Sequence, residues 1–193
     1  MIPFDALINP NIFSNPVDRC YFCKTDLFTH LTHIADKLNI RTLVDGSNLD
    51  DMKDFRPGVK ALRNLGIRGP LKEVGLTKQE IRDLSKKHGL PTWDKASFSC
   101  LATRIPYHQE LAPEKLRQIE QAEQLLFDLG YQQFRVRHHG EIARIEVLPE
   151  DFTRVLGDHQ KIVEQLKSFG FQYVTLDLEG YFTGSMNRQI KKS

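Results

Sequence analysis

Apolar side chains recur at helical spacing in the segment DLFTHLTHIADKLNI, at positions 27, 28, 31, 34, 35 and 38. This spacing predicts a helix, and Asp18 upstream is a candidate cap for it. A short apolar strand is then predicted over residues 42–44, and it leads directly into the oxygen-rich loop DGSNLDD.

Two more helices are predicted in DFRPGVKALRNLGI and TKQEIRDLSKKHGL, and each ends at a glycine. Thr77 begins the second helix with Glu80 in capping-box spacing, and Pro91 follows its end. Strand, loop and helix therefore alternate, which favours an α/β layer through about residue 95.

The pattern changes after a connector at residues 96–110. The next segment, APEKLRQIEQAEQLLFDLGY, is strongly amphipathic and opens with Pro113 in its first turn. QFRVRHH and IARIEV alternate in polarity around His-Gly-Glu, which predicts a hairpin, and a second helix and the strand YVTLDL follow. These elements predict a small α+β domain, so we place two domains at 1–104 and 105–193.

The segments LFDLGYQQFRVR and LKSFGFQYVTL resemble each other. In each, an apolar helix end is followed by glycine, an aromatic residue and a strand. Two readings stay open, a weak internal repeat and the same loop chemistry used twice independently.

The composition is that of an ordinary globular protein, with 193 residues, 40% hydrophobic and 27% charged. A net charge of +2 gives no overall electrostatic reason to expect a nucleic-acid partner. No apolar run reaches the roughly 18–20 residues of a membrane span, and the first residues lack the pattern of a signal peptide. We therefore expect a cytoplasmic protein with no membrane partner. The sequence fixes no copy number, so a homo-oligomer stays open.

The three cysteines form a Cys-x-x-Cys pair, Cys20 and Cys23, and a distant single, Cys100. Thiolates are nucleophiles and soft metal ligands, and the cationic neighbours Arg19 and Lys24 favour the thiolate form. A structural zinc usually takes four ligands, whereas three thiolates with one open coordination position suit an iron–sulfur cluster. The alternative is that the thiols are small buried hydrophobic groups.

Arg135 and Arg137 lie two residues apart on a predicted strand and therefore share a face. Adjacent guanidiniums favour an anion between them, and a phosphate fits their bidentate geometry. An ion pair with Glu141 or Glu146 on the neighbouring strand is the alternative. Arg104, in the connector, is a further candidate for the same cleft.

The loop DGSNLDD follows the predicted strand, at the edge where open α/β sheets bind ligands. Asp45, Gly46, Asn48 and Asp50 are therefore candidates for contact with a nucleotide or a magnesium ion. The same residue types are also typical of turns, and the motif is weak on its own.

Five separated motifs, in order, closely resemble the LarE family of ATP-dependent sulfur transferases: NPVDRCYFCK, LVDGSNLDDMKDFRPGVKAL, GLPTWDKASFSCLATRIPY, RVRHHGEIARIEV and YVTLDLEGYFTGSMN. They span roughly residues 9–187. Proteins of this family convert pyridinium biscarboxylic acid mononucleotide into its thiocarboxylate, which feeds the nickel-pincer nucleotide cofactor.

The resemblance implies a small-molecule nucleotide substrate and partners among the nickel-pincer biosynthesis proteins. It also implies an ATP-pyrophosphatase α/β domain, Rossmann-like and of the adenine nucleotide alpha hydrolase type, followed by a smaller α+β domain.

Members of the family are of two kinds, one that sacrifices the sulfur of a single cysteine and one in which three cysteines hold a [4Fe-4S] cluster. This sequence resembles the second kind, because Cys20, Cys23 and Cys100 match the cluster positions. The sacrificial position falls on Ser99, which has no sulfur to give.

The resemblance also implies roles for five charged residues. Arg104, Arg135, Arg137 and Glu123 match positions around the substrate phosphate and the transfer chemistry. Lys24 matches a lysine of the same cleft. Without the resemblance, Glu123 would be interpreted as a solvated residue of its amphipathic helix.

The family's Ser-Gly-Gly-x-Asp-Ser pyrophosphate loop has no counterpart before Cys20. We therefore expect ATP and Mg²⁺ to bind only when that segment is supplied, and the activity of these residues alone stays open. Two rival hypotheses remain: a tRNA-thiolating relative with the same ATP chemistry, and a non-catalytic remnant that binds zinc or a nucleotide or only stabilises a partner.

Overall fold

A computed structural model describes residues 2–53, 57–95 and 99–182. The chain forms two compact units, Met1–Lys95 and Ala96–Ser193. The domain boundary predicted after residue 104 falls within the second unit. Across the described ranges, no helix combines the length and the apolar character that a bilayer crossing requires.

The first unit is mostly helical. Its α-helices are α1 (Pro10–Phe13), α2 (Arg19–Lys37), α3 (Pro57–Asn64), α4 (Pro70–Glu73) and α5 (Lys78–Lys87). Short 3-10 helices cover Ala6–Ile8 and Leu49–Lys53. The three helices predicted from the sequence correspond to α2, α3 and α5.

The helix ends follow the predicted chemistry in part. Thr77 and Glu80 form the predicted capping box at the start of α5. Gly66 and Gly89 follow α3 and α5 with left-handed φ angles of 67° and 68°, which end a helix without steric cost. Asp18 occupies the N-cap position of α2, but its side chain accepts no capping hydrogen bond there.

The strand predicted over residues 42–44 is wrong in extent. Only Val44 pairs, in a single parallel bridge with Arg68, and the Asp45 amide donates to the Arg68 carbonyl at 2.9 Å. Val44 is 55% exposed. A strand needs successive pairs along a ladder, and within the described residues this ladder stops after one. The ATP-pyrophosphatase fold of this unit stays a prediction.

The second unit contains the predicted order of helix, hairpin, helix and strand. Its elements are α6 (Pro113–Asp128), β1 (Phe134–His139), β2 (Ile142–Val147), α7 (Phe152–Gly157), α8 (His159–Ser168) and β3 (Tyr173–Leu176), with 3-10 helices at Leu101–Arg104 and Pro149–Asp151. The sheet order is β1-β2-β3, with β1 antiparallel to β2 and β3 parallel to β2. The segment predicted to contain the second helix holds two, α7 and α8, which meet at Asp158.

The two faces of this sheet differ in chemistry, because side chains alternate along each strand. One face carries the hydrophobic core, which includes Phe134, Val136, Ala143, Ile145 and Val147 together with side chains from α6 and α8. The opposite face carries Arg135 and Arg137 on β1 and Arg144 and Glu146 on β2. Arg135 lies opposite Glu146, and Arg137 lies opposite Arg144.

The connections from α6 to β1 and from α8 to β3 share one geometry. Gly130 and Gly170 have φ angles of 84° and 107°. Tyr131 and Phe171 follow them, both buried, and each donates its backbone N–H to the helix carbonyl five residues earlier. This is a helix end with a left-handed glycine and a hydrophobic anchor, so the sequence similarity has a structural counterpart.

Buried His138 predicts acid sensitivity of the second unit. Its side chain is 3% exposed, its Nε2 lies 3.0 Å from Gln118 Oε1, and burial lowers the pKa of the imidazole. The unfolded chain therefore binds a proton near pH 6.5 that the folded chain resists, so stability is complete above that pH and falls as the pH drops.

We expect His138→Gln to flatten the loss of unfolding free energy between pH 7 and pH 5, by up to about 1.4 kcal/mol per pH unit. Urea unfolding at several pH values measures this, with His159→Gln, a change at an exposed histidine of the same unit, as the control. A His138→Gln profile parallel to that of the wild type would contradict the assignment.

Candidate functional site

The second unit contains a buried ion pair between Arg104 and Glu123. Arg104 Nε and Nη2 donate to the two carboxylate oxygens of Glu123, each at 2.8 Å. Glu123 Oε1 also accepts the backbone N–H of Val136 at 3.0 Å. Glu123 lies in the buried stripe of α6, between Ala122 and Leu126, and not on its solvated face. The carboxylate therefore joins α6, β1 and the connector.

The remaining nitrogen of the Arg104 guanidinium holds the cysteine-bearing segment. Arg104 Nη1 donates to the Ser99 carbonyl at 2.9 Å, to Ser99 Oγ at 2.7 Å and to the Cys100 carbonyl at 3.1 Å. The same nitrogen also donates to Thr103 Oγ1 at 2.9 Å. Arg104 as a whole is only 1% exposed. One side chain thus fixes the backbone on both sides of Cys100.

A second buried pair lies on the polar face of the sheet. Arg137 Nε and Nη2 donate to Glu146 Oε1 and Oε2, each at 2.9 Å, so the cross-strand ion pair considered as an alternative is present. Arg137 Nη1 donates to the Thr103 carbonyl at 2.7 Å. Both arginine–glutamate pairs therefore bond to the segment that bears Cys100.

Arg135 lies on the same face and is also buried. It donates to the Phe134 carbonyl, and its guanidinium carbon lies 5.1 Å from the centre of the Tyr181 ring. Burial first, and then the positive charge of Arg104, lower the pKa of Arg135. A bound anion would relieve this electrostatic cost.

Among the described residues, this face and the adjoining Arg104–Glu123 pair hold more arginine side chains than carboxylates. Arg144 belongs to this cluster of charges. Its Nη2 donates to Glu146 Oε1 at 2.9 Å, and its Nε lies 3.5 Å from Asp177 Oδ2. Four guanidiniums, with Arg104, Arg135 and Arg137, therefore meet three carboxylates, those of Glu123, Glu146 and Asp177. A dianionic phosphate has the charge that such a cluster favours.

The predicted cysteines lie in different units. Cys20 and Cys23 are in the first turns of α2, and Cys100 precedes the turn Leu101–Arg104. All three are free thiols, with Cys20 and Cys100 exposed and Cys23 half-buried. Within the described residues, no three His, Cys, Asp or Glu side chains are grouped as a metal site. The convergence of the three sulfurs stays a prediction.

Lys24 lies on α2 one turn after Cys20, and its Nζ is 5.0 Å from the centre of the Phe28 ring. Gly58 on α3 packs against this region. A Cβ at Gly58 would lie 3.1 Å from Lys24 Cγ and 3.4 Å from the Cys20 carbonyl oxygen. The absence of a side chain at Gly58 therefore lets α3 approach the Cys20 turn closely.

The candidate nucleotide loop uses its polar groups locally. Asp45 accepts a hydrogen bond from Ser47 Oγ, and Asn48 Oδ1 accepts from the Asp50 amide at 2.9 Å. Asp50 Oδ2 accepts from the Lys78 amide at 2.9 Å and so caps α5. Gly46 has open space around its Cα. These bonds are the turn chemistry considered as the alternative, and nucleotide contact by the loop stays a prediction.

An open cleft of about 840 Å³ lies beside this loop in the first unit. Leu49 and Asp51 contribute to it from the loop, and α3 contributes Val59, Lys60 and Arg63. The lining of the cleft combines apolar, cationic and acidic side chains, the last from Asp51 and Glu73. The periodic pattern of α3 gave no signal for the cleft, because it does not show how residues 49–51 and 66–73 pack around this helix.

Sequence reasoning missed Arg144, Thr103 and Tyr181 as members of the arginine site. Arg144 carried a readable signal, since IARIEV places it on the same strand face as Glu146. The carbonyl of Thr103 and the ring of Tyr181 carried none, because both reach the sheet through long-range packing.

Comparison with models of known protein families gives no match. An uncharacterized protein of Synechocystis sp. is 43% identical over 194 aligned positions, which cover 100% of this chain and 72% of that protein. An uncharacterized protein of Methanocaldococcus jannaschii is 32% identical over 170 positions, covering 88% of this chain and 66% of that protein.

The pyridinium-3,5-bisthiocarboxylic acid mononucleotide synthase of Lactiplantibacillus plantarum is 35% identical over 189 positions. The alignment covers 98% of this chain and 68% of the synthase. Identity at this level over nearly the whole chain reflects common descent, so the chain belongs to the LarE family, that of the synthase.

Proposed function

We propose that this protein transfers sulfur to an activated carboxylate of a pyridinium mononucleotide in nickel-pincer cofactor biosynthesis. Membership of the LarE family supports the reaction class. The observation that carries the proposal is the network in which Arg104 and Arg137 bond to the segment around Cys100. Cys100 and the arginine-rich face of the sheet therefore belong to the same compact unit.

In this proposal Arg135 and Arg137 hold the substrate phosphate. The excess of guanidinium over carboxylate on their face supports an anionic ligand. Arg104, whose nitrogens are bonded to Glu123 and to residues 99–103, supports the site by positioning the Cys100 segment. A substrate fixed by its phosphate keeps its carboxylate at a constant distance from the sulfur source.

Cys20, Cys23 and Cys100 are the proposed ligands of a [4Fe-4S] cluster. Two observations fit this assignment: Cys20 and Cys23 lie one helical turn apart as free thiols, and Cys100 is exposed. A cluster held by three cysteines leaves one iron position open for an exchangeable sulfide. Lys24, one turn after Cys20, adds a positive charge near the thiol pair.

The proposed reaction has two chemical stages. The substrate carboxylate attacks the α-phosphorus of ATP, pyrophosphate leaves, and a mixed anhydride with AMP results. Sulfide then attacks the carbonyl carbon, a C–S bond forms, and the C–O bond to AMP breaks to give the thiocarboxylate.

The candidates for nucleotide contact lie in the first unit. They are the loop residues Asp45, Asn48 and Asp50 and the adjoining cleft. The Ser-Gly-Gly-x-Asp-Ser loop of the family would hold the ATP phosphates.

Replacing Arg135 tests the phosphate assignment. We expect Arg135→Gln to weaken binding of nicotinic acid mononucleotide, a pyridinium mononucleotide with one carboxylate, at least tenfold, or about 1.4 kcal/mol. Loss of a charge-assisted bond to phosphate is the reason. Isothermal titration at constant salt measures the affinity.

Arg117→Gln is the matched control, since Arg117 is an exposed arginine of α6 in the same unit. Circular dichroism verifies that both variants fold. Equal affinities for the wild type and Arg135→Gln would exclude Arg135 from the phosphate site.

Anaerobic reconstitution with iron and sulfide tests the cysteine assignment. We expect visible charge-transfer absorption in the wild type and its loss, with severalfold lower bound iron, in each of Cys20→Ser, Cys23→Ser and Cys100→Ser. A missing thiolate removes one of three cluster ligands. Absorption spectra and iron analysis give the readout.

Ser99→Ala is the control for Cys100→Ser, because it alters the adjacent side chain in the same segment and leaves all three thiols. It should retain the absorption. Survival of the absorption when all three cysteines are serine, or retention of zinc in place of iron, would refute the cluster.

A further inference from the structure

Arg19, the first residue of α2, is a charged side chain that is 4% exposed. Its Nη1 donates to Asn15 Oδ1, and its Nη2 donates to the sulfur of Cys20 at 3.7 Å. A buried guanidinium is costly unless its donors are used. One of its donors bonds to the sulfur of Cys20, a proposed cluster ligand.

Asn15 fixes the direction of this guanidinium. It is fully buried and adopts a left-handed φ of 55°, a conformation that asparagine tolerates better than most residues. The backbone N–H of Asn15 donates to the backbone carbonyl of Ile12 at 3.0 Å, at the end of α1. The carbonyl oxygen of its side chain therefore comes from a rigid turn, and it leaves Arg19 little rotational freedom.

Cys20 is also confined by α3. A Cβ at Gly58 would lie 3.8 Å from Cys20 Cβ and 3.4 Å from the Cys20 carbonyl oxygen. The Cys20 side chain thus lies close to both the Arg19 guanidinium and the Gly58 backbone. A sulfur in such a setting has a defined orientation even though the residue is exposed.

Hydrogen bonds to ligating sulfurs tune iron–sulfur clusters. A donor next to a metal-bound thiolate withdraws electron density from the sulfur and raises the reduction potential. Outer-shell partners of metal ligands also hold the ligand in place, and their loss typically costs 10–100-fold in metal affinity or activity. A neutral thiol is only a weak acceptor, so a guanidinium donor suits a thiolate ligand better.

We propose that Arg19, oriented by Asn15, is a positioning residue that donates a hydrogen bond to the Cys20 sulfur and stabilises the bound, more reduced cluster. This inference rests on the proposed function and deepens it. It assigns to the Asn-Pro-Val-Asp-Arg-Cys segment a role beyond supplying a thiol: the segment also carries the donor that sets the electronic environment of one ligand.

The test uses the reconstituted 193-residue chain in three forms: wild type, Arg19→Gln and Arg19→Lys. We expect Arg19→Gln to lower the midpoint potential of the cluster and to lose iron to a chelator roughly tenfold faster. Arg19→Lys keeps the charge but loses the planar guanidinium. Its midpoint potential and its rate of iron loss should lie between those of the wild type and Arg19→Gln. Arg41→Gln, a change at an exposed arginine of the same unit, is the control and should match the wild type.

Thermal unfolding of the metal-free proteins identifies any variant that fails to fold. If Arg19→Gln does not fold, the comparison of Arg19→Lys with the wild type tests the role of Arg19. A potential and an iron-loss rate equal to those of the wild type overturn the role of Arg19 and leave the cluster assignment intact. If the wild type forms no cluster, the proposed function fails first and this inference fails with it.

Discussion

The buried pair of Arg104 and Glu123 is the interaction on which the second unit depends. Its carboxylate accepts from the backbone of β1, and its guanidinium bonds to the backbone around Cys100. Removing one partner of such a pair leaves an uncompensated buried charge, which typically costs about 3–5 kcal/mol. The pair therefore sets the position of the cysteine segment relative to the sheet.

The second pair, Arg137 with Glu146, extends the same principle to the sheet face. Arg137 also bonds to the Thr103 carbonyl, so both guanidiniums anchor one short turn. In the proposed function these arginines act as a preorganised anion site, because their donors are oriented before a ligand arrives. This rigidity is the physical basis for proposing that a phosphate-bearing substrate is presented to a sulfur source.

Much of the second unit was predictable from sequence because its signals are local. Alternation in QFRVRHH and IARIEV identified the hairpin, and the glycine–aromatic pattern identified both helix ends. Arg135 and Arg137 were correctly placed on one face. The choice between phosphate and Glu146 as the partner of Arg137 was not predictable, because a strand face shows which side chains are neighbours but not which of them bond. In the structure, Glu146 pairs with Arg137, although Arg135 is the residue that lies directly opposite it in the strand register.

The first unit shows where local signals fail. The apolar residues 42–44 have strand propensity, but a strand forms only where a neighbour continues the ladder, and here one bridge with Arg68 is present among the described residues. Glu123 was undervalued for a related reason. Its helical position next to Ala122 and Leu126 placed it in the buried stripe, but only the long-range contact with Arg104 explains a carboxylate there.

Amide hydrogen exchange of residues 99–105, compared between wild type and Glu123→Gln, tests the central claim most directly. We expect at least tenfold faster exchange in the variant, because Arg104 loses its charged partner and releases the segment. Glu120→Gln, a change at an exposed glutamate of the same helix, should leave the exchange unchanged. Equal protection of residues 99–105 in wild type and Glu123→Gln would show that the ion pair does not hold the cysteine segment.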